Sequence, residues 1–299
     1  MSPWCEVFHS ASVNQFIGKT QQRAYTISMR ILFLGSGSAH TVGTDNFQSN
    51  MVLTAANGRK LLIDCGSDIR WSLARQGLSH RDITDIYVSH LHADHIGGLE
   101  YIAFQTRFDP ACCRPRLYLD ASMAEPLWNH SLRGGLGVIT EGETRMEDFF
   151  EVIPLVTGQP FLWEGVRLEP IPLPHVVAPR VTVLSHGLLL EQDGCAVLIT
   201  TDTRFDADFL ARCYTRADVI FHDCETGNVK TSIHAHYDDL VGLPAEVRGR
   251  MWLYDYQPGP LPDARAAGFQ GFVRPGQCFE FPHDAGAAVP ARAQRVVVE

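Results

Sequence analysis

The chain has 299 residues, is 45% hydrophobic and carries a formal net charge of -9. It can bury a full core as one domain, and no apolar run approaches the roughly 20 residues of a membrane-spanning helix. The arginines, such as Arg114, Arg116 and Arg133, are scattered rather than striped, which disfavours a nucleic acid gripped by its phosphates.

Residues 1–28 lack the apolar stretch of a signal peptide and are rich in Ser, Gln, Asn and Thr. They are read as a flexible extension, with Met29 a candidate natural start and the cytoplasm the expected location. Met51–Ala55 and residues 60–64 flank Asn57-Gly58, a two-residue hairpin signal. Residues 83–88 are β-branched and aromatic in the manner of a buried strand, and Gly97-Gly98 turns into a helix from Leu99. Residues 121–133 are expected to be helical and 133–137, with Gly134, Gly135 and Gly137, a mobile loop rimming the site; residues 107–150 are expected to shape the pocket. Pro170, Pro172 and Pro174 forbid a helix and place their segment on an exposed strand edge. Residues 181–191 and 195–200 form a second hairpin around Asp193-Gly194. Residues 29–285 make up the expected domain, and 286–299 a loose Ala-rich tail.

Eight cysteines lack C-x-x-C spacing and a secretory context, so they read as reduced, mostly buried thiols. Cys112-Cys113 is likewise assigned to packing rather than to a further ion.

The run His90-Leu91-His92-Ala93-Asp94-His95, directly after the strand at 83–88, packs four metal-ligand side chains into six residues. In an extended segment His90 and His92 project to the same side and can share one ion. Asp94 and His95 enter the following helix, point elsewhere and can serve a second ion. A solvated polar loop does not explain H-x-H-x-D-H in that position.

Leu61-Leu62-Ile63-Asp64-Cys65-Gly66, the His90–His95 run, Pro174-His175 and Thr201-Asp202-Thr203 occur in the order that resembles the metallo-β-lactamase fold superfamily. The opening Ile31-Leu32-Phe33-Leu34-Gly35-Ser36-Gly37-Ser38-Ala39 is most similar to the branch of ribonuclease Z and the small phosphodiesterases. The resemblance implies an α/β fold, an αββα four-layer sandwich, with two divalent metal ions at one edge. It implies that His175 completes the first site, that Asp202 bridges both ions and that Asp64 orients a ligand histidine. Read without the resemblance, Asp202 serves equally well as the N-cap of the next helix. By resemblance His234 lies beside the leaving group, with His222 paired to it or to an acidic neighbour. The expected reaction is hydrolysis of a small molecule by a metal-bridging hydroxide. A phosphodiester heads the substrate classes; an ester, lactone or thioester, or di-iron oxygen chemistry, is the alternative. The short hairpin between His175 and Asp202 leaves no room for a tRNA-gripping arm. A homodimer is compatible with this reading.

One position departs from the pattern. Where the branch has a histidine after its last core strand, this chain has Asp255. A second site of Asp94, His95, Asp202 and Asp255 is rich in oxygen, so zinc is the expected ion overall, with manganese or iron favoured there.

Overall fold

The computed structural model describes residues 26–42, 45–283 and 295–297. The first sheet is built from β1 (Thr26–Phe33), β2 (Met51–Ala55), β3 (Lys60–Ile63), β4 (Asp85–Tyr87) and β5 (Arg116–Asp120). A small ribbon, β6 (Val138–Ile139) and β7 (Gly142–Glu143), precedes β8 (Glu151–Leu155), which joins the first sheet beside β5. The second sheet contains β9 (Phe161–Trp163), β10 (Val166–Ala178), β11 (Val181–Gln192), β12 (Cys195–Ile199), β13 (Val219–Asp223), β14 (Met251–Tyr254) and β15 (Gly271–Phe272). The chain then returns to the first sheet through β16 (Cys278–His283) and β17 (Arg295–Val297).

Alternation along the strands explains the layers. Met29, Ile31 and Phe33 of β1, with Val197 and Ile199 of β12, meet between the sheets, where the Phe33 and Phe221 rings pack tilted with centroids 5.1 Å apart. The opposite faces are apolar as well, because helices cover both. On the first sheet lie α1 (Ile69–Arg75), α2 (Ala93–Ile96), α3 (Leu99–Phe108), α4 (Ala121–Leu127) and α5 (Arg133–Leu136), anchored by Ile69, Leu73, Leu99, Ile102 and Leu136. On the second lie α6 (Ala207–Tyr214), α7 (Tyr237–Val241) and α8 (Ala245–Arg248), whose Leu210, Tyr214 and Leu240 pack against Ile220 and Leu253. The result is the αββα sandwich of the metallo-β-lactamase fold. No described helix is long and apolar enough to cross a membrane.

Two local expectations change. Residues 133–136 are helical rather than a loop: the helix runs on from α4 through a π-turn (Trp128–Leu132), and buried Leu132 and Leu136 anchor it. The exposed Glu100 side chain lies over Gly135, its Oε2 2.0 Å from where a Cβ would sit. The first hairpin is wider than two residues, with Ala55 N–H donating to Arg59 O and Gly58 N–H to Ala55 O; only Gly58 of the Asn57-Gly58 pair has positive φ. The second hairpin does turn on two positive-φ residues, Asp193 and Gly194. The prolines of β10 sit as expected: β9 pairs only with residues 166–168, and Pro170 O accepts from Gly158 on the outer side. The N atoms of all three therefore face an edge where no ladder donor is needed.

The expected extension at residues 1–28 lies outside the described residues up to 25, and 26–28 already belong to β1. Most of the expected tail also lies outside them; residues 295–297 pair with β16 as an edge strand instead of hanging loose.

Candidate metal centre

The strand ends gather on one edge of the sandwich. Asp64 after β3, Thr201 after β12 and Asp255 after β14 all adopt positive φ, at 61°, 51° and 63°. Non-glycine residues rarely do so, and a β-branched one such as Thr201 least of all. Each bend lets the chain leave its strand and turn a side chain across the edge. Gly66 is required by the same crowding, because a Cβ there would lie 2.1 Å from Asp94 O. Beneath the edge, His186 N–H donates to Ser89 O and Tyr87 O–H to His186 O, tying the two sheets together.

His90 and His92 follow β4, and His175 sits at a β-bulge in β10 that re-aims its ring toward them. His90 Nε2 lies 3.0 Å from His92 Nδ1, which is 3.2 Å from His175 Nε2. Asp202 Oδ2 faces this group, 3.7 Å from His90 Nε2 and 3.6 Å from His175 Nε2. Asp202 Oδ1 faces the other way, 3.3 Å from His95 Nε2, which is 3.1 Å from Asp94 Oδ2. One carboxylate thus looks into two ligand groups: His90, His92, His175 with Asp202, and Asp94, His95 with Asp202. Neither His95 Nε2 nor Asp202 Oδ1, though buried, has a hydrogen-bond partner. Converging imidazole nitrogens and orphaned acceptors are costly unless cations lie among them, so the residues present fit two divalent ions.

The surrounding bonds set the histidine tautomers. Asp64 Oδ2 accepts from His95 Nδ1 at 2.7 Å, leaving Nε2 with a lone pair able to bind a cation. The same carboxylate takes Ser89 N–H and O–H, and Ser89 Oγ is 3.1 Å from His90 Nδ1, so Asp64 holds two histidines. His175 Nδ1 donates to Ile233 O. Burial holds the His90 and His175 imidazoles below their usual pKa, in the neutral form a ligand needs. Burial works against the charge of Asp202, but the facing His95 and His90 outweigh it and hold its pKa well below the carboxylate range. Asp64→Asn is expected to weaken metal affinity about 10–100-fold, read by chelator competition; unchanged affinity would show that Asp64 does not orient the ligands.

Asp202 is no helix cap; that role falls to Asp206, whose side chain accepts from Phe209 N–H. Asp255 is buried, but it groups with Asp202 and His234 rather than with Asp94 and His95. His234 Nδ1 lies 3.0 Å from Asp223 Oδ2 and 3.7 Å from Asp255 Oδ2. Burial alone disfavours its charge, yet Asp223, Asp202 and Asp255 raise the pKa to about 11.

His222 does not join the site. On β13 it points with Ile220 and Cys224 toward the helices, fully buried, its Nε2 2.8 Å from Tyr214 OH and its Nδ1 donating to Asp223 O. The residue that does reach His234 is Asp223, one position on and therefore on the other face; strand alternation alone distinguishes the two. Burial lowers the His222 pKa to about 4. An unfolded chain binds a proton there below about pH 6.5, which the folded chain refuses until about pH 4, so stability falls as pH drops through that window, by up to about 3 kcal/mol. Chemical denaturation of His222→Gln at pH 7 and pH 5 should show a smaller pH-dependent loss than wild type; equal losses would remove His222 as the cause.

Residues 29–279 match the family model described as Anti-Pycsar protein Apyc1. The chain is 35% identical over 230 residues to the Anti-Pycsar protein Apyc1 of Paenibacillus harenae, covering 76% of this chain and 90% of that protein. Among solved structures it resembles the metallo-β-lactamase fold protein YhfI from Bacillus subtilis, with a TM-score of 0.63, 16% identity and coverage of 85% and 100% of the two chains. A diphosphatase of the PhnP family is similar to the same extent, with a TM-score of 0.63, 19% identity and coverage of 85% and 97%.

Proposed function

The chain belongs to the Anti-Pycsar protein Apyc1 family, and from that premise we propose that it hydrolyses a small phosphodiester, a cyclic nucleotide within that class. The observation that carries this reading is Asp202, whose two oxygens face two separate ligand groups. Two divalent ions held there supply a nucleophile from water of lowered pKa and neutralise charge on the phosphoryl oxygens. His90, His92 and His175 suit zinc at the first position; Asp94, His95 and the shared Asp202 suit zinc or a harder ion at the second.

The protein's own groups do the rest. With Asp94, Asp202 and Asp255 around them, two dications would leave about one positive charge before a bound hydroxide is counted, so attraction for an anionic phosphodiester is weaker than with a histidine in place of Asp255. Asp223 holds His234 through Nδ1, which leaves Nε2 to give its proton to the departing oxygen. Cations held at Asp202 would offset part of the negative charge that raises the His234 pKa, which favours proton donation by that ring. Asp255, off the mutual reach of Asp94 and His95, acts here on His234 as much as on an ion.

Turnover of metal-loaded protein against 3′,5′-cyclic nucleotides, bis-aryl phosphates, lactones, thioesters and a precursor tRNA tests the reading. Cyclic nucleotides are expected to turn over fastest and the tRNA not at all. A lactone or thioester hydrolysed faster than every phosphodiester would contradict it.

A further inference from the structure

A second group of ligand-type side chains lies where the 3-10 turn His80–Asp82 meets the segment leaving α3. His80, Asp109 and Cys112 each offer one ligand atom, and these atoms lie within 4.8 Å of one another. His80 Nε2 is 3.1 Å from Asp109 Oδ2, with the side chains 15% and 10% exposed.

Local bonds build this arrangement from both sides. Asp109 Oδ1 accepts Ala111 N–H and Asp109 O accepts Cys112 N–H, a tight turn that folds the thiol back over the carboxylate. Across from it, the Ser79 and Asp82 capping box fixes the turn that carries His80. Nitrogen, oxygen and sulfur donors thus converge from two segments of the chain. Arg81, 64% exposed, pairs with Asp109 at 2.6 Å.

We propose that His80, Asp109 and Cys112 form a structural site for zinc or a similar borderline-soft divalent ion, with water in the fourth position. Thiolate, imidazole and carboxylate around zinc place neighbouring donors about 3.3–3.8 Å apart, so side-chain rotations of about 1 Å close the cluster. Binding sends the Cys112 thiol proton to solvent and leaves His80 neutral. One thiolate and one carboxylate then balance the dication, and Arg81 swings out to water. The ion ties the 79–82 turn to the end of α3, away from the strand ends that carry the catalytic residues. The Cys112-Cys113 pair, which reads as packing in the sequence, gains a ligand role through its first member.

Cobalt(II) loaded into the full chain tests this directly. The metal centre offers only His and Asp donors among the described residues, so a thiolate-to-cobalt charge-transfer band does not arise from it, and loss of the band in Cys112→Ser assigns it to this site. The band is expected in wild type, retained in Cys213→Ser and lost in Cys112→Ser and His80→Ala, with phosphodiester turnover of Cys112→Ser unchanged. Absence of the band in wild type with the catalytic centre filled, or its persistence in Cys112→Ser, would overturn the proposal. Should the variants fail to fold, wild-type alkylation decides: added zinc is expected to slow iodoacetamide modification of Cys112 on the order of tenfold, and no slowing overturns the site.

Discussion

Asp202→Asn is expected to lower turnover at least about 10³-fold while the protein stays folded, because the bridging carboxylate contributes several kcal/mol of charge placement and 1.36 kcal/mol is tenfold in rate. The substitution keeps size and shape. It turns one acceptor into a donor, so at most one of the two facings, toward His90 and His175 or toward His95, survives. Metal analysis of the variant is therefore expected to lose at least one ion per chain. Asp202 faces His90, His95 and His175, so the denaturation midpoint of the variant is compared with wild type, and a midpoint near the wild-type value beside the lost activity would place the effect in the centre. Full metal content with wild-type turnover would rule out the bridging role.

His234→Asn is the second large effect, an expected loss of about 10²–10⁴ in kcat, the range of general acid catalysis. Its size should depend on the leaving group. The alkoxide released from a cyclic nucleotide needs a proton, whereas a nitrophenolate does not, so the loss should nearly vanish on bis-nitrophenyl phosphate. Asp223→Asn should reproduce part of the same pattern, since Asp223 holds the ring through Nδ1. Equal losses on both substrates would show that His234 shapes the site and donates no proton.

Much of this centre was legible in the sequence because it is written locally. The candidate ligands between His90 and His95 are contiguous, so a strand end followed by a helix start is enough to divide them into two groups, and the structure groups them that way. The prolines of β10 announced an unpaired edge through their missing N–H groups. What stayed hidden depends on which face of a strand looks where. His222 and Asp223 are adjacent and both suited to catalysis, yet one faces Tyr214 and the other His234. Asp255 was legible as a departure from the family pattern, but its grouping with His234 arises from the approach of residues 21 positions apart around the end of β14. The Gly134-Gly135 segment reads as a loop from its glycines, whereas buried Leu132 and Leu136 hold it as a helix, a burial no local pattern records. Ser89, which couples Asp64 to His90, carried no signal beyond its place between a strand and a ligand.

The measurement that bears most directly on the centre is turnover of a 3′,5′-cyclic nucleotide by metal-free protein titrated with zinc or manganese. Turnover is expected to be absent without metal and to saturate only once both groups that share Asp202 are filled. Turnover that persists in the metal-free protein, or that saturates with the second group empty, would contradict a two-ion phosphodiesterase.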